Sequence, residues 1–132
     1  MQRVFVIKPL LQFGLILIGL NQAIFLLATS SGIVPSDFYV EETEGPITWF
    51  HILMASIVPA LVGYLMAYLC FRFLDSGKIV FTSISVLFGI LSCLGPVGIP
   101  DAPLSLMVLL ILLHITTGGL ITLAGRNAMT EI

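Results

Sequence analysis

His114 is the residue of this sequence best suited to chemistry, because it lies within a long apolar run. An imidazole titrates near neutral pH, so it could relay a proton, hold a ligand or sense pH. At about 1.5 Å of rise per helical residue, Asn21 and Ser56 fall at the same depth in their own runs as His114. We therefore predict a polar layer with these members: Asn21, Gln22, Ser56, Ser92, His114 and Thr117.

A structural role is the favoured interpretation of this layer. A neutral His114 would then be hydrogen-bonded to Asn21 or Gln22, a contact worth about 0.6–2 kcal/mol between membrane helices that also fixes their register. The apolar runs contain no acidic residue that could form a charge relay with the histidine.

His51 lies near the start of the second apolar run, beside Trp49, and is interpreted as a solvated interfacial histidine. Axial ligation of one haem by His51 and His114 is disfavoured, because their estimated depths differ by about 9 Å. Cys70 lies near the inner end of its run and Cys93 near the outer end of its own, so they are too far apart for a disulfide, and neither has metal-ligand spacing. We expect no bound cofactor.

An acidic stretch separates the first two apolar runs. Its carboxylates could attract cations, but calcium needs six to eight oxygens in a fixed loop, and no EF-hand spacing is present. We predict a solvated outer loop over residues 30–46 whose apolar segments 33–35 and 38–40 fold back onto the protein or into the interface. The acidic residues of this loop are Asp37, Glu41, Glu42 and Glu44.

Composition excludes several classes of function. The net charge is −2 and no basic patch or phosphate-binding glycine loop is present, which gives no support for nucleic-acid binding. No serine has a base at helical spacing, and no carboxylates are paired within the apolar runs. The sequence therefore predicts a protein that is not an enzyme.

The elements that must position these residues are membrane helices. Hydrophobic residues make up 58% of the 132 positions and charged residues 9%, and the mean hydropathy is +1.15. Lipid must therefore solvate most of the chain, and backbone groups in lipid must be hydrogen-bonded within each segment. We predict one all-α membrane domain over residues 1–132, a four-helix bundle with spans at about 9–29, 47–74, 79–99 and 104–124.

Charge predicts the orientation of the bundle. With four spans, the five basic residues fall on one side and most of the acidic residues on the other. The positive-inside rule then places both termini in the cytoplasm. The first run is longer than the roughly 7–15 apolar residues of a signal peptide, so we predict that it is retained as a span.

Short connections make the second and third runs, and then the third and fourth, antiparallel neighbours. The second run carries a stripe of small residues that we expect to pack on a similar stripe of the third, since small residues allow close approach. Asp101 is expected to cap the fourth helix. The two stripes are Ser56, Ala60, Gly63, Ala67 and Cys70 on the second run, and Thr82, Ser85, Gly89, Ser92 and Pro96 on the third.

Four short motifs resemble an uncharacterised bacterial membrane family, DUF6069. They are LNQAIFLLA at 20–28, VPALVG at 58–63, LSCLGP at 91–96 and LLHI at 112–115. The resemblance implies a four-span protein and adds weight to Asn21 and His114 as a pair, but implies no activity.

These observations predict a structural or interaction component of the cytoplasmic membrane, surrounded by lipid and meeting a membrane-protein partner or another copy of itself. The alternative is a small transporter or channel that acts as an oligomer and uses the layer containing Asn21 and His114.

Overall fold

A computed structural model describes residues 3–35 and 37–131, except for the side chains of Arg3 and Glu131. Met1, Gln2, Ser36 and Ile132, which the predicted domain includes, lie outside the described residues. The helices are α1 (Lys8–Ser30), α2 (Trp49–Phe73), α3 (Gly77–Ser92), α4 (Leu94–Val97) and α5 (Leu104–Ala128).

In the part of the chain that the structure describes, four helical segments are long and apolar enough to cross a membrane. They are α1, α2, α3 with α4, and α5. Large apolar side chains cover the outside, with Leu15, Phe73 and Leu104 each more than 70% exposed. Such a surface is stable only in lipid, which confirms the predicted four-span, all-α membrane bundle.

Helix α5 is the centre of the bundle. It packs against α1, α2 and α3, and the share of its apolar window that is buried is 39%, against 17–28% for the other spans. Helix α1 also packs on α2, and α2 on α3. The antiparallel neighbours predicted from the short connections are therefore present, and α5 additionally closes the bundle against α1.

The packing predicted between the small-residue stripes is only partly right. All five stripe residues of α2 are buried, but Gly63 faces Ile121 of α5 and Ser56 faces Asn21 of α1. On α3, Gly89 faces Gly118 of α5. A small-residue stripe fits any close neighbour, and α5 is that neighbour for both helices.

The start of α5 differs from the sequence prediction, and the structure also defines where α3 ends. Asp101 does not cap α5, since its φ is 55° and Pro103 is the N-cap residue. Ala102 precedes a proline, which disfavours helical geometry there and delays the start of the helix. Helix α3 ends at Ser92, because Pro96 has no N–H to donate to the Ser92 carbonyl.

The described residues also form four short strands. Strands β1 (Arg3–Phe5) and β4 (Met129–Glu131) pair antiparallel, with Val4 opposite Thr130. In the outer loop, β2 (Tyr39–Val40) pairs with β3 (Gly45–Pro46) around a 3-10 turn. Buried Val34 and half-buried Phe38 of this loop pack with apolar residues at one end of the bundle, so the loop folds back as predicted.

Candidate functional site

Asn21 is the centre of the predicted polar layer. Its side chain is 2% exposed, and its Nδ2 donates to Ser56 Oγ at 3.0 Å and to Thr117 Oγ1 at 2.9 Å. Helix α1 contributes Asn21, α2 contributes Ser56 and α5 contributes Thr117. One amide group therefore connects three of the four spans.

The Ser56 hydroxyl fixes the orientation of this amide. Ser56 Oγ donates its proton to the Ile52 carbonyl at 2.8 Å, so towards Asn21 it can only accept. The amide nitrogen must therefore face Ser56, and the amide oxygen faces away. Asn21 Oδ1 is buried without a hydrogen-bond partner in the described part of the chain. An unmet acceptor of this kind costs about 1–3 kcal/mol.

His114 does not hydrogen-bond to Asn21 or Gln22, contrary to the expectation from the sequence. Its Nδ1 lies 2.7 Å from the Leu110 carbonyl, one turn back on the same helix. Because a carbonyl only accepts, Nδ1 carries the proton, and Nε2 of the neutral ring is an acceptor. Gln22 instead donates to the Trp49 carbonyl at 2.9 Å.

A crevice of about 380 Å³ lies between α2 and α3, with α5 as its floor. Asn21 lies at its back, and exposed Val62 and Phe88 lie among its walls, so it opens on the lipid-facing surface. Its other walls are mainly apolar. The polar side chains that line it are Asn21, Ser85, Ser92, His114 and Thr117.

Two further features place hydrogen-bonding groups in the crevice. Ser85 Oγ is buried without a partner among the described residues. Pro59 also lines it and cannot donate the backbone bond that the Ala55 carbonyl, another lining residue, accepts in a regular helix. Ser92 differs, because it is exposed at the wall and its hydroxyl donates to the Gly89 carbonyl of its own helix.

Helices α2 and α3 are held close together near the start of α3 and diverge further along, and the crevice lies where they diverge. Gly77, at the start of α3, lies against the Cys70 carbonyl so closely that a Cβ would overlap it. Gly125 accommodates the Phe81 ring in the same region. Further along, α3 stays close to α5 where Gly89 meets Gly118, and the space opposite Pro59 of α2 is left open.

The remaining candidate residues lie away from the crevice. Asp37, Glu41, Glu42 and Glu44 are all exposed in the outer loop. Within residues 3–35 and 37–131, no cluster of three or more His, Cys, Asp or Glu side chains is arranged to hold a metal ion.

His51 and the two cysteines are also separate from the crevice. His51 Nδ1 accepts the Thr48 N–H at 3.0 Å, which engages it at the start of α2. Cys70 and Cys93 are both free thiols, as the sequence predicted.

Sequence reasoning missed Ser85 as a candidate site residue and assigned it only to helix packing. Its position on the same helix face as Gly89 and Ser92 could have identified it, because this face of α3 both packs against a neighbouring helix and lines the crevice.

Four apolar spans around a buried polar layer define a multi-pass membrane helix bundle. Residues 15–131 match the model of a family of unknown function, DUF6069, so the chain belongs to that family. No curated protein and no solved structure matches the chain. The resemblance seen in the four short motifs is thereby confirmed across nearly the whole sequence.

Proposed function

We propose that this protein is a non-enzymatic component of the cytoplasmic membrane, with both termini inside, that binds one small lipophilic molecule in the crevice between α2 and α3. The ligand carries an O–H or N–H group. The observation that carries the proposal is Asn21 Oδ1, a buried acceptor without a described partner at the back of a lipid-facing opening. A donor on the ligand would remove the cost of that unmet acceptor.

The chemistry of the walls indicates a donor on the ligand. Asn21 Oδ1 and His114 Nε2 are both acceptors, and Ser85 Oγ can accept or donate. The rest of the lining is mainly apolar, which suits a molecule that partitions into lipid. No carboxylate and no cysteine lines the crevice among the described residues, so His114 has no acidic partner there and no thiol nucleophile is present, which supports binding.

The size of the crevice suits a small molecule. Its volume of about 380 Å³ falls within the roughly 300–1,000 Å³ that small-molecule sites span. A purely structural layer would also be expected to satisfy its buried groups, and Asn21 Oδ1 and Ser85 Oγ are left without described partners.

The proposal is tested by thermal unfolding of the detergent-purified protein with decanol or with its methyl ether, which keeps the acceptor but lacks the donor. A ligand raises the melting temperature according to its affinity. We expect decanol to bind about 3- to 30-fold more tightly than the ether, the factor that one interhelical hydrogen bond provides. The preference should disappear in Asn21→Leu, whose lower starting stability does not affect the comparison of the two ligands.

Ser85→Ala and Ser92→Ala form a matched pair for the same measurement. Ser85→Ala removes an unpaired hydroxyl of the crevice and should weaken decanol binding without lowering the stability of the free protein. Ser92→Ala removes a hydroxyl already bonded within α3 and should leave the binding unchanged. Equal affinity for decanol and the ether, or an unchanged preference in Asn21→Leu, would contradict the proposal.

A further inference from the structure

A second cavity, of about 470 Å³, lies at the end of the bundle where the α2–α3 turn meets the end of α5 and strand β4. It is separate from the crevice and shares none of its lining residues. Its polar walls include Asp75, Ser76, Lys78, Arg126 and Thr130. The inference drawn from it does not depend on the function proposed for the crevice.

Positive charge predominates in this cavity. Lys78 comes from α3 and Arg126 from α5, and both are exposed to the surrounding solvent or headgroups. Lys78 Nζ donates to the Met129 carbonyl at 3.4 Å, which holds the ammonium at the cavity wall. Asp75 also lines the cavity and makes contacts of its own, so the three charges sum to +1.

Hydroxyl groups accompany the two cations. Ser76 and Ser83 both line the cavity, and neither hydroxyl makes a hydrogen bond in the described part of the chain. Thr130 differs, since it donates to the Val4 carbonyl at 3.1 Å. Two cations with free O–H donors form a set that matches the oxygens of a phosphate group.

We propose that this cavity binds a phosphate group, carried either by the headgroup of an anionic phospholipid or by free phosphate. Arginine pairs with phosphate oxygens through two parallel N–H groups, and lysine adds a point charge. Basic pockets between membrane helices bind anionic headgroups in this way. The positive-inside rule accounts for basic residues on this side of the membrane, but it does not require Lys78 and Arg126 to face one cavity.

The test measures retention of phosphatidylglycerol by the intact protein, using native mass spectrometry after purification from mixed phosphatidylglycerol and phosphatidylcholine nanodiscs. We expect the wild type to retain phosphatidylglycerol selectively. Arg126→Gln and Lys78→Gln should each reduce the retention about fivefold, the effect of one basic residue near a headgroup. Arg126→Lys, which keeps the charge but loses the planar fork, should give an intermediate value.

Lys8→Gln is the matched control, because Lys8 is a basic residue at the start of α1 that does not line the cavity. Retention reduced equally by Lys8→Gln and Arg126→Gln would overturn the proposal, since general surface charge would then explain the binding. Unchanged retention in both Arg126→Gln and Lys78→Gln would overturn it as well.

Inorganic phosphate distinguishes the two sources of the ligand. Displacement of the lipid by millimolar phosphate, in the wild type, would support the cavity as a site for phosphate itself. Lipid that persists in phosphate and is lost only in the cavity variants would support an anionic headgroup as the ligand.

Discussion

At the scale of single residues, Asn21 joins three helices through the two hydrogens of one amide nitrogen. The same geometry leaves its oxygen without a described partner beside an opening to lipid. A leucine at this position would pack without that cost, so the asparagine provides something that apolar packing does not. The ligand site that we propose would use both ends of the amide.

Thr117→Val tests the structural half of this arrangement. Valine keeps the shape of threonine but removes the hydroxyl that accepts from Asn21 at 2.9 Å. We expect the free energy of unfolding in detergent to fall by about 0.6–2 kcal/mol, the range for one interhelical hydrogen bond. Thr122→Val is the control, because the Thr122 hydroxyl donates to Gly118 of its own helix. Equal losses in the two variants would argue against a special role for the Asn21–Thr117 bond.

At the scale of elements, glycines on α5 decide how closely its neighbours approach. A Cβ on Gly125 would overlap the Phe81 ring and lie 3.0 Å from the Ala67 Cβ. Phe81 is fully buried, so its ring has little room to move. The contact of α5 with both α2 and α3 therefore depends on the missing side chain at this one position.

Gly125→Ala should accordingly destabilise the bundle by about 1–3 kcal/mol, the usual cost of overpacking a well-filled core. The measurement is the free energy of unfolding in detergent. Gly119→Ala on the same helix is the matched control, since nothing lies within 4 Å of a Cβ built there. It should be neutral or slightly stabilising, because alanine favours helix over glycine. A larger loss at position 119 than at 125 would contradict this account of the packing.

For the molecule as a whole, the first and last described segments of the chain meet at one end of the bundle. Strand β1 pairs with β4, and Lys78 in the first turn of α3 reaches the Met129 carbonyl. An even number of spans places these two segments on the same side of the membrane, and the acidic loop lies at the opposite end of α1 and α2. The charge pattern then predicts that the end with the strands is cytoplasmic.

Cysteine labelling in intact cells tests this orientation. In a background of Cys70→Ala and Cys93→Ala, we expect a membrane-impermeant maleimide to react with Glu42→Cys and not with Ser76→Cys. Permeabilised cells should label both positions, which controls for their reactivity. The reverse pattern would invert the predicted topology, and labelling of both positions in intact cells would contradict the four-span arrangement.

The four spans, the end of the bundle at which the basic residues collect and the motifs typical of the family could all be read from the sequence. These properties depend on the local composition of each run, because a stretch of about 20 apolar residues is stable across a bilayer whatever its neighbours are. The sequence also placed Asn21, Ser56 and His114 at one depth, with Thr117 within about a turn of them, since the rise of a helix is constant.

Which residues of that layer meet depends on how the helices pack, and this could not be read from the sequence. Small-residue stripes fit several neighbours, so the central position of α5 could not be deduced from spacing. Hydrogen-bond partners depend on which helices face each other and on how far each side chain reaches. For this reason His114 is hydrogen-bonded within its own helix, whereas Asn21 donates to Thr117. The crevice, the basic cavity and the β1–β4 pairing have the same origin, since each is formed by segments far apart in the chain.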